Sequence, residues 1–178
     1  MGIATLISTS TGSNAANVDI TSGIDSTYDE YMFVFTDVNP ATNNTHFLFQ
    51  VNAAGASGFN ENITSTLFAS EHPENGSSSG VGYEASYDQA DGTAYQYIAR
   101  KCGNGSDECS AGVLHLFTPS NTTFIKHFYS AVHTYEASDS YSTSYTAGYI
   151  NTTTAIDEIS FKMSSGNIDC VIQMYGIA

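Results

Sequence analysis

The stretch "DEISFKMSSGNIDCVIQMYGIA", residues 157–178, decides the fold. In its first half Ile159, Phe161 and Met163 alternate with Glu158, Ser160 and Lys162, the pattern of a strand with one buried and one wet face. In its second half Cys170, Ile172 and Met174 share one face while Val171, Gln173, Tyr175 and Ile177 share the other. An extended run of that kind wants neighbours on both sides. Ser164 to Asn167 supplies the turn between the halves, with Gly166 able to take positive φ. The reading expects a β-hairpin, its last strand paired inside a sheet and closing a sandwich.

Working outward, strand signals follow one another: "IATLIS", "YDEYMFVFTDV", "THFLFQVN", "NITSTLFAS", "GVLHLFT", "TFIKHFYSAVHTYE" and "SYTAGYI". Each is rich in β-branched or aromatic residues and bounded by Gly, Pro, Asn, Asp or Ser. In "YMFVFTDV", Tyr31, Phe33 and Phe35 face one way and Met32 and Val34 the other; both faces are apolar, so this strand belongs mid-sheet. Helical signals are confined to "TAYQYIARK" and "TTTAIDE". So many turn-separated strands without long helices predict an all-β fold, a single-domain antiparallel β-sandwich, jelly-roll-like, over residues 1–178. The segment "SEHPENGSSSGVGYEASYDQADGT" reads as an exposed loop region around 71–93, or a hairpin with a mobile tip. Loops of that length usually bind something or are held by a partner.

Composition narrows the function. The chain of 178 residues carries 18 acidic against 4 basic residues, a formal charge of -14. Such a surface repels phosphate backbones and lacks the cations that counterion release requires, so nucleic acid is not an expected partner. No run reaches membrane-spanning length, and "MGIATLISTSTGSN" lacks the basic start and apolar core of a secretion leader. Membrane insertion is therefore not expected. Five histidines raise a metal reading, but His127 and His133, on one face of a strand, would stand about 20 Å apart. Packing beside Phe and Tyr is the blander role. There is no G-x-S-x-G elbow, no phosphate-binding loop and no dinucleotide fingerprint. Catalytic residues, metal ligands and cofactors are all expected to be none.

Two features remain as candidate sites. Tyr83, Tyr87, Tyr95 and Tyr97 gather in and after the long loop, and aromatic faces stack on sugar rings or neighbouring proteins. Cys102 and Cys109 bracket "CGNGSDEC", where a disulfide forms if the compartment is oxidising, while Cys170 reads as a small buried hydrophobe. A reduced chain is the plainer reading.

At "TSGIDSTYDEYMFVFTDVNPATNN", "GVLHLFTPSNTTFIKHF", "AGYINTTTAIDEISFKMSSGNID" and "QMYGIA" the chain resembles a family of small β-rich virion proteins of marine tailed phages, of the kind infecting cyanobacteria and abundant ocean bacteria. The resemblance runs from about residue 20 to the end. "DVNP" looks like the family's strand exit and "SSGNID" like its closing hairpin, whereas "KCGNGSDEC" departs from a plainly polar loop. The resemblance implies a non-enzymatic structural protein of the particle surface, made in the host cytoplasm. A capsid decoration or cement protein, homotrimeric and in contact with the major capsid protein or tail proteins, is the first expectation. A tail or head fibre module that binds host surface carbohydrate is the alternative.

Overall fold

The computed structural model describes residues 2–178, all strands and connections. The strands are β1 Thr5–Ala15, β2 Val18–Ile20, β3 Glu30–Pro40, β4 Thr45–Ala53, β5 Ile63–Pro73 and β6 Gly80–Tyr83. They continue as β7 Gln96–Cys102, β8 Ser110–Phe117, β9 Lys126–Glu136, β10 Ser140–Ile150, β11 Ile156–Met163 and β12 Ile168–Ile177. Every pairing among them is antiparallel.

A large sheet runs β1-β12-β3-β8-β9-β10-β5-β6, and a small sheet runs β2-β11-β4-β7. The two meet where Cys102 of β7 pairs with Glu136 of β9, so the sandwich is nearly closed along one side. The fold is all-β, as its alternating sequence predicts, and β3 and β12 are interior strands. Phe33 and Phe35 of the large sheet pack on Phe161 and Phe47 of the small one, and Phe128 packs on Phe49. All six rings are buried.

The expected hairpin at residues 157–178 is not one. β11 pairs with β4 and β2 in the small sheet, while β12 pairs with β1 and β3 in the large one. Ser164 to Asn167 is therefore a corner between sheets. The same corner is turned by Ala41 to Asn44 between β3 and β4, so the ribbon β3:β12 continues round it as β11:β4. The Ala41 amide donates to the Asn167 carbonyl at 2.9 Å, and the Thr45 and Ser164 hydroxyls meet at 2.9 Å. Gly166 holds φ +76 there, and a Cβ on it would meet Thr42 Oγ1 at 2.3 Å. A folded-over two-stranded ribbon is the signature of a jelly-roll-like sandwich.

Two other expectations change. "TAYQYIARK" is no helix: Gln96–Cys102 is β7, which pairs with β4. Its Ala, Gln, Arg and Lys favour helix weakly, and burial of Ile98 and Ala99 against the core overrides that preference. In "TTTAIDE" residues 152–155 are irregular chain and Ile156, Asp157 and Glu158 open β11. The 71–93 region is partly ordered strand, because β5 runs to Pro73 and turns back through β6 as a hairpin. Beyond β6 the chain is tied to β5 of the large sheet and to β7 of the small one. Gln89 N donates to Ser65 Oγ, Ile63 and Gly92 form a bridge, and Gln96 Nε2 donates to the Tyr87 carbonyl.

Candidate functional site: an open aromatic sheet face

Strand register places side chains row by row on the large sheet's outer face. One row reads Ala131, Tyr145, Phe68, Tyr83 across β9, β10, β5 and β6. The next reads His133, Thr143, Ser70, Val81, and the one beyond it Tyr135, Tyr141, His72. On the other side lie Tyr129, Ala147, Thr66 and then His127, Tyr149, Thr64. Tyr141, Tyr145, Phe68, Tyr83 and Val81 are half or more exposed, or nearly so, at 50, 52, 47, 52 and 79%. Large aromatic groups left so open are what marks an interaction surface.

The rings are ordered by one another. His115 stacks on Tyr129 at 4.5 Å and 10°, and His133 lies over Tyr141 at 6.1 Å and 21°. The Tyr141 hydroxyl, Thr143 and His133 Nδ1 form a closed polar triangle. Across β8, β9, β10, β5 and β6 no outward-facing residue in these registers is Asp, Glu, Lys or Arg. In a chain with 18 carboxylates that gap defines the face. Acids stand at its margin: Glu30 contacts His115, and Asp88 accepts from the Tyr83 hydroxyl. That carboxylate raises the Tyr83 hydroxyl's pKa above the ordinary range.

The four tyrosines singled out in the sequence do not form one site. Tyr83 belongs to the open face, its ring 5.4 Å from that of Phe68. Tyr87 and Tyr97 pack together at 5.1 Å with His46, on the outside of the small sheet. His46 Nδ1 accepts the Lys101 amide; burial, and then the Arg100 charge, lower its pKa. Tyr95 lies under Lys162, whose ammonium sits 4.5 Å from the ring centroid, and donates its hydroxyl to Ser160. These three are partly buried packing residues. Tyr141, Tyr145 and Tyr149 were missed, although every fourth residue of a strand shares a face.

Cys102 and Cys109 are free thiols, as is Cys170. Cys102 is buried and receives the Ser110 hydroxyl at 3.6 Å, and Cys109 is exposed. Cys170 is the buried small residue its position in β12 predicts. Among the described residues no three His, Cys, Asp or Glu side chains converge as metal ligands.

A second feature is a polar cleft of about 320 Å³ beneath the β5–β6 hairpin, walled by Glu71, Glu84, Arg100 and the Ser78 to Gly82 backbone. Arg100, 5% exposed, reaches Glu71 at 3.0 Å and Glu84 at 3.6 Å, while Lys101 reaches Glu71 and the buried Glu136. Burial raises the Glu71 pKa, but the hydrogen bonds and charges of Lys101 and Arg100 outweigh it and leave the group below its ordinary range.

The fold and face define an all-β sandwich with an exposed aromatic face on one sheet. Comparison with protein-family models and with curated proteins finds no match. Among solved structures the chain is similar to the endo-β-1,4-glucuronan lyase of the fungus Trichoderma reesei, at 14% identity over 99% of this chain and 87% of that one. The TM-score is 0.27, a likeness that carries no argument.

Proposed function

We propose that this chain is a non-enzymatic structural protein of a phage particle surface, a decoration or cement protein of the capsid. The observation that carries the reading is the open aromatic face. It is broad and free of formal charge where the rest of the chain is strongly acidic, and a neighbouring protein in an assembly would cover it. The sequence resemblance to virion proteins supports the same assignment. Quantitative mass spectrometry of purified particles, scaled to the major capsid protein, tests it. A copy number near that of the capsid subunit is expected, and absence from particles would overturn it.

The polar cleft favours a second reading, a fibre module that binds host surface carbohydrate. Glu71, Glu84 and Arg100 offer charged hydrogen-bonding groups in one cleft, while the Tyr83 and Phe68 rings lie on the other face of the same hairpin; charged groups of this kind suit sugar hydroxyls. A glycan array probed with the protein and with Glu84→Gln tests it. Binding lost in the variant supports this reading, and no binding across the array rules it out.

A further inference from the structure

The open face carries a ridge beside a hollow. Tyr145 and Phe68 are cross-strand partners and stand out from the sheet. Two residues along each strand the facing pair is Ala147 and Thr66, and small side chains there leave a depression. It is a shallow cavity of about 390 Å³, bordered by His127 and Tyr149 on its far side. Ridge and hollow are separated by about 7 Å, two strand residues. A ridge next to a hollow of that kind is self-complementary about a two-fold axis lying between them, because each copy's rings enter the other's depression.

Charge and area point to the same occupant. At -14 per chain two copies repel through most of their surfaces, but not through a face without carboxylates. The five strands of that face, β8, β9, β10, β5 and the four-residue β6, about 4.8 Å apart, span about 700 Å² in projection, and the relief of their side chains raises the accessible area above that. A stable interface needs about 800 Å² per partner.

We propose that the face is covered by a second copy of this chain, packed sheet on sheet, with Tyr145 and Phe68 of each copy seated over Ala147 and Thr66 of the other. The proposal rests on the assembly reading above and names the partner of its face. The unit is a pair, in place of the trimer expected from the sequence.

Sedimentation equilibrium on the full chain tests it. The expected mass is twice the 19.0 kDa of one chain. Tyr145→Glu and Ala147→Glu each place a carboxylate in the contact and should weaken pairing about 30-fold or more, as loss of an interface anchor does. Ser165→Glu, the same charge on an exposed residue of the corner between β11 and β12, should leave the pair intact. Hydroxyl-radical footprinting of the unaltered protein should show Tyr145 protected, so a variant that misfolds does not decide the matter. A monomer, a trimer, or a pair indifferent to both face variants would overturn the proposal. A monomer that binds a glycan array through Tyr145 would put a sugar in the hollow and overturn it too. A pair absent from particles would sink the virion reading alone, and a monomer present at capsid copy number would sink the pairing alone.

Discussion

Phe35 and Phe161 meet at 5.2 Å between ring centroids and 69° between planes, one from each sheet. Phe161 also packs on Phe33 and Phe47, at 5.7 and 6.0 Å. This aromatic cluster, edge-to-face between Phe35 and Phe161, tilted at Phe33 and stacked between Phe47 and Phe161, packs the two sheets together, since such aromatic contacts add to the burial of each ring. Phe161→Ala should cost about 3–5 kcal/mol, the transfer term plus the cavity left behind. Urea unfolding should show the midpoint falling with an unchanged slope. A loss under 1 kcal/mol would mean that the cluster is not the centre of the core.

Gln96 holds the loop after β6. Its amide donates to the Tyr87 and Tyr97 carbonyls, and its carbonyl accepts from Ser65 Oγ and Gln89 Nε2. Gln96→Leu keeps the bulk and leaves those buried partners unpaired, at a cost of about 1–3 kcal/mol. Hydrogen exchange should speed up over residues 85–92 while β3 and β12 stay protected. Uniform loss of protection would instead show that the loop and the core unfold together.

Period-two alternation made the strands legible. It named the buried face of β11, Ile159, Phe161 and Met163, and it placed β3 and β12 inside a sheet, because an inward Phe or Ile is the same signal in any sheet. It could not say which sheet a strand joins, and so β11 and β12 read as a hairpin although a corner separates them. β10 was half seen, because Ser140, Ser142, Ser144 and Thr146 are its buried face and small polar residues do not announce a core. The open face was legible only in part. Its aromatic rows exist across strands, through pairings such as Tyr145 with Phe68, and proximity in the chain drew attention to Tyr87, Tyr95 and Tyr97 instead.

The corner itself is testable at Gly166. With φ +76 and Thr42 Oγ1 only 2.3 Å from where a Cβ would sit, Gly166→Val meets both backbone strain and a clash. Strain of this kind costs about 1–3 kcal/mol. A thermal melt should fall by several degrees, and more than for Gly55→Val. Gly55 also has positive φ, but open space surrounds its Cβ direction. Equal losses at the two sites would mean that strain alone acts and the corner contact contributes nothing.

Burial separates the thiols chemically. Desolvation pushes the Cys102 thiol up to about 11 and also raises Cys170, while Cys109 is exposed. At pH 8 a thiol-specific reagent should modify Cys109 alone, with the other two reacting only after denaturation, because the thiolate is the reactive form. The same shift fixes a pH dependence. The unfolded chain releases the Cys102 proton near pH 9.0 and the folded chain near 11, so its contribution is complete below pH 9 and lost as pH rises through 11. Two units correspond to about 2–3 kcal/mol. Tyrosines titrate in the same window, so the measurement is the difference between the unaltered chain and Cys102→Val in urea unfolding at pH 8 and pH 11. The unaltered chain should lose more. Equal losses, or rapid labelling of all three cysteines at pH 8, would place the Cys102 sulfur outside the core.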